Sequence, residues 1–141
     1  MKNMTLTEIR EFLLAGTRTG KAATVRKDGR PHVTPIWFDL DGDEVVFMTW
    51  HESVKAANLK RDPRLSLCID EEHPPFSFVI MEGTVEITED PPERKYWAAR
   101  IGGRYMGEDQ AEAYGKRNGV EGELVVRFTP TKIVAKKDVA L

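Results

Sequence analysis

The chain has 141 residues, close to the commonest size of one folded unit, so a single domain spanning residues 1–141 with one core is expected. Apolar residues make up 40% and charged residues 31%, which excludes a disordered chain. A formal net charge of -2 removes the simplest electrostatic case for nucleic-acid binding. The one cysteine, Cys68, excludes an intrachain disulfide, and its place in the apolar run 65–69 predicts a small buried thiol. No run approaches the roughly 20 apolar residues of a membrane span, and Lys2 is followed by no apolar signal region, so a cytoplasmic protein without a membrane partner is expected.

In chain order, a short amphipathic helix is expected over Leu6 to Ala15, with Thr7 preceding Glu8-Ile9-Arg10-Glu11, Arg10 where a capping box prefers Glu or Gln, and Gly16 as a stop. The strand 21–27 meets Asp28-Gly29, a strong hairpin signal. Its returning partner, 31–39, carries Pro35 and so belongs at a sheet edge or a bulge. A turn at 41–43 leads to a third strand, 44–49. The segment 53–60 reads as a short helix starting near Ser53, with Val54, Ala57 and Leu59 toward the sheet. Strands 64–70 and 76–88 follow, the latter bending at Gly83. Two helices, 93–101 and 108–117, are separated by Gly102-Gly103. A last hairpin, 123–129 and 132–136, turns at Pro130. Six to seven short antiparallel strands with peripheral helices predict a mainly β protein, a closed β-barrel rather than parallel βαβ units.

No catalytic set is legible. His32, His51 and His73 are scattered without metal-ligand spacing, so no metal is expected. Neither a GxGxxG after a strand nor a P-loop is present. Two segments carry possible chemistry. Thr49-Trp50-His51-Glu52-Ser53-Val54-Lys55 joins a strand end to a helix start, where hydroxyls, backbone N–H groups and a lysine suit a phosphate. The same residues also suit a plain N-cap beside a solvated Lys55. Strand 31–38, loosened by Pro35, has backbone groups free to meet a planar polar ring. Alternatively it is an edge strand whose Trp37 and Phe38 fill core and dimer contacts.

Together these segments resemble the pyridoxamine 5'-phosphate oxidase-like split-barrel flavoprotein superfamily. The matching run is Ala22-Ala23-Thr24-Val25, the Asp28-Gly29 turn, Pro31-His32-Val33-Thr34-Pro35-Ile36-Trp37-Phe38, Asp41-Gly42-Asp43, Thr49, Ser53-Val54-Lys55-Ala56-Ala57-Asn58-Leu59, Asp62-Pro63-Arg64-Leu65-Ser66-Leu67 and Glu82-Gly83-Thr84-Val85. The Pro-Ile-Trp-Phe strand and the Ser-Val-Lys-Ala-Ala-Asn-Leu helix are similar to the subgroup using deazaflavin coenzyme F-420 rather than FMN.

The resemblance implies a split-barrel homodimer with cofactor sites at the subunit interface and a small-molecule substrate. It implies that Lys55, with Thr49, Trp50 and Ser53, holds the cofactor phosphate. Val33, Thr34, Pro35 and Ile36 would line the deazaflavin ring, and Asn58 joins the same cofactor-binding set. Trp97, Arg104 or Tyr105 would reach in from the second subunit. The implied reaction is hydride transfer to an electron-poor double bond in a small planar organic substrate. It needs no catalytic triad, because the cofactor carries the chemistry. His32, His51 and Tyr105 are candidate proton donors, although a hydrogen-bonded surface or core role is the favoured reading of each. The alternatives are an FMN-binding oxidoreductase of the same superfamily and a non-catalytic cofactor- or haem-binding protein. Pyridoxamine phosphate oxidation itself is disfavoured, because the C-terminal segment 136–141 holds no recognisable substrate motif.

Overall fold

A computed structural model describes residues 1–141. Its elements are β1 (Lys2–Asn3), α1 (Leu6–Leu14), β2 (Gly20–Val25), β3 (Pro31–Ile36), β4 (Phe38–Asp41), β5 (Glu44–Trp50), α2 (Val54–Arg61), β6 (Arg64–Glu71), β7 (Ser77–Thr88), α3 (Pro91–Met106), a 3-10 turn (Glu108–Gln110), α4 (Ala111–Asn118) and β8 (Glu123–Lys137). The strands form one antiparallel sheet in the order β3-β2-β6-β7-β8-β5-β4, with β1 added at the far end of β8. β3 and β4 occupy opposite ends of this path although Trp37 alone separates them in sequence. The sheet therefore curls until its two ends approach at Trp37 and stays unladdered there, which is a split barrel of the expected mainly β type.

The core follows from period-2 alternation. Ala22, Leu65, Leu67, Ile69, Val79 and Met81 point inward, and α1 closes one end with Leu13, Ile9 and Phe12. In β5 and β8 the alternation fails: Val45, Val46 and Phe47 are all buried, as are Leu124, Val125 and Val126. The cause is α3, which lies on the outside of these strands and packs Trp97 and Ile101 against Val46 and Val125. Each such side chain contributes about 1.5–3 kcal/mol on burial. No helix is long and apolar enough to cross a membrane.

Several expectations are corrected. The cap of α1 is Thr5 rather than Thr7: Thr5 Oγ1 accepts from the Glu8 N–H and Glu8 Oε1 from the Thr5 N–H, a reciprocal box. On α2 the buried face is Ala56, Asn58 and Leu59, while Val54 and Ala57 are exposed. Strand 31–39 breaks at Trp37 into β3 and β4. Gly102-Gly103 does not interrupt α3. A Cβ on Gly102 would lie 2.2 Å from Tyr114 Cβ, and one on Gly103 3.0 Å from Ala111 Cβ, so these glycines let α4 approach closely. The terminal hairpin is one bent strand: Gly83 pairs with Pro130 and Glu82 with Lys132, leaving Thr131 as the extra residue of a bulge. Cys68 is half-buried on the outer side of β6, between the inward Leu67 and Ile69.

Candidate functional site

β5 delivers Thr49 and Trp50 to the point where α2 begins. Ser53, extended at φ -68° and ψ 154°, caps α2 by accepting from the Ala56 N–H at 3.0 Å, and its Oγ lies 2.8 Å from Thr49 Oγ1. Lys55 turns back toward the edge strand and donates from Nζ to Thr34 Oγ1 at 3.0 Å. Burial pushes the Lys55 ammonium pKa down, and the nearby Glu123 charge opposes that shift. Lys55 forms no ion pair with any carboxylate.

These residues border a cavity of about 320 Å³. One wall is Pro35, Ile36 and Trp37; the second is Met48, Thr49 and Trp50; the third is Ala98, Ile101 and Gly102 of α3. Asn118 of α4 and Glu123 of β8 complete it beside Lys55. The cavity combines an apolar shelf with a few convergent polar groups, the usual make-up of a small-molecule site. A larger hollow of about 770 Å³ lies between α1 and the barrel, lined by Leu6, Ile9, Leu13 and Met81 among others. Its cation, Arg10, is already bonded to the Gly42 carbonyl at 3.0 Å, so the Lys55 cavity is the better anion site.

Of the nine residues singled out from the sequence, Pro35, Ile36, Thr49, Trp50 and Lys55 line the cavity. Thr34 and Ser53 join through their bonds to Lys55 and Thr49. Val33 stands exposed beyond the lining. Asn58 is buried and tied to the barrel wall: its Nδ2 donates to Thr24 Oγ1 at 2.9 Å and its Oδ1 accepts from Arg61 at 3.1 Å. Glu123, Asn118, Met48 and the α3 wall escaped the sequence reading, because only the fold brings α3, α4 and β8 to the end of β5. The one available signal was an acidic residue opening a strand otherwise rich in valine.

Trp97, Arg104 and Tyr105 were expected to reach across from a second subunit, but each is engaged inside its own chain. Trp97 is buried against Val46 and Val125. Arg104 donates to the carbonyls of Phe38 and Leu13. Tyr105 stacks on Trp37 with ring centres 5.1 Å apart, donates to the Arg18 carbonyl at 2.8 Å and accepts from the Phe38 N–H at 3.2 Å. Burial also pushes the Tyr105 phenol upward, so it keeps its proton near neutrality. His51 is held by the Gly122 carbonyl at 3.1 Å, and neither it nor His32 lines the cavity.

An antiparallel sheet curled to an open seam, with a cation-bearing cavity where that seam meets α2 and α3, defines a split-barrel protein with a small-molecule site. Residues 5–137 match the family described as pyridoxamine 5'-phosphate oxidase, and the chain belongs to that family. Among solved structures, a conserved hypothetical protein from Mycobacterium tuberculosis is 28% identical, with a TM-score of 0.85 over 96% of this chain and 86% of that one. An F-420 reductase is also 28% identical, with a TM-score of 0.68 over 87% of this chain and 94% of that one. The haem storage protein of Vibrio cholerae has a TM-score of 0.74 over 96% and 97% of the two chains, and at 19% identity it shares the fold.

Proposed function

We propose that residues 1–141 act as one deazaflavin-binding domain, an oxidoreductase that holds coenzyme F-420 at the interface of a homodimer. It would pass a hydride to a small planar organic substrate. The observation that carries this reading is Lys55, a half-buried ammonium bonded only to a neutral hydroxyl and opening onto a cavity of about 320 Å³. A desolvated cation that makes no ion pair is costly, so the site fits an anion such as a cofactor phosphate. Ser53 and Thr49 supply hydroxyls, and the start of α2 adds the positive end of its dipole. Pro35, Ile36, Met48 and Ile101 give an apolar wall suited to a ring and to excluding water from it. When bound and reduced, the deazaflavin supplies a hydride.

The kinship with an F-420 reductase favours deazaflavin over FMN. A homodimer is supported by the outer sheet face, where Val33, Ile80 and Val134 are exposed and Ile80 pairs with Val134 across β7 and β8. The reading is tested by fluorescence titration of the purified protein with F-420 and FMN side by side. Micromolar or tighter binding of F-420, with FMN much weaker, is expected. Tight FMN binding instead would move the chain to the FMN-using branch of the family.

A further inference from the structure

The cavity at the start of α2 is lined by one cation and one carboxylate, and the two do not meet. Lys55 turns to Thr34. Glu123 opens β8 opposite Trp50 in the ladder, lines the cavity half-buried, and takes part in no side-chain hydrogen bond or ion pair. The remaining lining residues are neutral. His51 lies beyond Glu123 and is occupied by the Gly122 carbonyl and, at 3.6 Å, by Glu52. Desolvation pushes the Glu123 carboxyl upward, and the nearby His51 and then Lys55 oppose that shift. A carboxylate left without a partner on the wall of an anion site does not help an anion to bind. Its effect is selective, through repulsion that grows with ligand charge.

We infer that Glu123 sets the charge of the anion this cavity accepts, admitting a phosphodiester and turning away a phosphomonoester. The inference rests on the cofactor reading above, because it takes the Lys55 cavity as the phosphate site. A phosphodiester carries one negative charge. A monoester carries nearly two at about pH 8, well above its second pKa of about 6. Lys55 offsets one charge in either case. With the monoester, a second ligand charge then faces Glu123 with no lining cation to balance it. F-420 is a phosphodiester and FMN a monoester, so one carboxylate would separate two cofactors whose ring systems are nearly alike. Coulomb repulsion from Glu123 is twice as large for a dianion as for a monoanion at the same place. Removing the charge therefore squares the gain: a threefold gain for the diester becomes roughly ninefold for the monoester.

The experiment titrates wild type, Glu123→Gln and Glu123→Asp with F-420 and with FMN at about pH 8. Glu123→Gln is expected to tighten FMN binding about tenfold and F-420 binding by about threefold or less. Glu123→Asp, which keeps the charge, should keep the wild-type preference. A change of packing alone would move both ligands together and leave their ratio unchanged. An unchanged ratio in Glu123→Gln, with F-420 binding still dependent on Lys55, overturns the assignment of Glu123 and leaves the cofactor reading standing. If neither compound binds the wild-type protein, the cofactor reading falls and takes this inference with it.

Discussion

Lys55 on α2 donates its ammonium to the Thr34 hydroxyl on β3 at 3.0 Å, so the helix start and the edge strand are joined at the wall of the cavity. This bond holds a partly desolvated charge on a flexible stem, and its partner is neutral. In Lys55→Met the stem remains and the charge goes. The melting temperature should stay within a few degrees of wild type, because the desolvation cost disappears with the bond. F-420 affinity should fall by about tenfold or more, the worth of one charge-assisted hydrogen bond. A thermal melt and a fluorescence titration on the same preparation check both parts, and undiminished affinity would remove Lys55 from the phosphate site.

How far the fold was legible depended on whether its causes were local. Asp28-Gly29 marks the β2–β3 hairpin, Gly42 sits at φ +59° in the β4–β5 turn, and Ser53 caps α2, each readable within a few residues. Gly102 and Gly103 misled because their role is contact with Tyr114 and Ala111, which no local pattern announces. Pro130 looked like a turn because a bulge against Gly83 exists only once β7 is its neighbour. The polar half of the site, Thr49 to Lys55, was contiguous and therefore visible. Its α3 wall and Glu123 reach the cavity only through the sheet order β8-β5, which is a property of the whole fold.

Gly83 is a second point where two backbones meet. A Cβ there would lie 2.1 Å from the Thr129 carbonyl oxygen and 3.0 Å from Pro130 Cα, and neither atom can move without opening the bulge. Gly83→Ala should therefore cost about 3 kcal/mol or more. Gly29→Ala is the comparison: Gly29 has φ +88° but open space around it, so the cost is conformational and about 1 kcal/mol. Urea denaturation should rank the two midpoints in that order. Equal losses would mean that the bulge relaxes.

Acid should unfold the protein through two surface carboxylates. Glu8 is held down to about 2, first by its bond from Lys137 and then by the Thr5 N–H. Glu71 is held to about 2 by the Arg18 guanidinium and then by His73. In the unfolded chain both take up protons near their ordinary value of 4.5. Folded-state stability from these pairs is thus complete above that pH and drains away as pH falls toward 2. Denaturant midpoints measured from neutral pH down to about pH 2.5 should fall less steeply for Glu8→Gln and Glu71→Gln than for wild type. Parallel curves would mean that neither pair carries the acid sensitivity.

Arg127 links the barrel to the helix that walls the cavity. Its guanidinium, 19% exposed, donates to Asp41 at 2.8 Å and Glu44 at 3.3 Å around the β4–β5 turn, and also to Glu93 in the first turn of α3. It lies 5.6 Å from the centre of the Trp97 ring, the side chain that seats α3 on β5 and β8. Arg127→Met would leave three carboxylates facing one another without a cation. The expected loss is about 2 kcal/mol, below the range for a fully buried network because water still reaches these groups. Arg127→Lys should recover only part of it, since a compact ammonium does not span the turn carboxylates and Glu93 as the wider planar fork does. Ala98, Ile101 and Gly102 ride on the same helix, so hydrogen exchange in α3 should quicken in Arg127→Met and F-420 binding should weaken with it. Stability lost without faster exchange in α3 would confine Arg127 to the β4–β5 turn and separate it from the cavity wall.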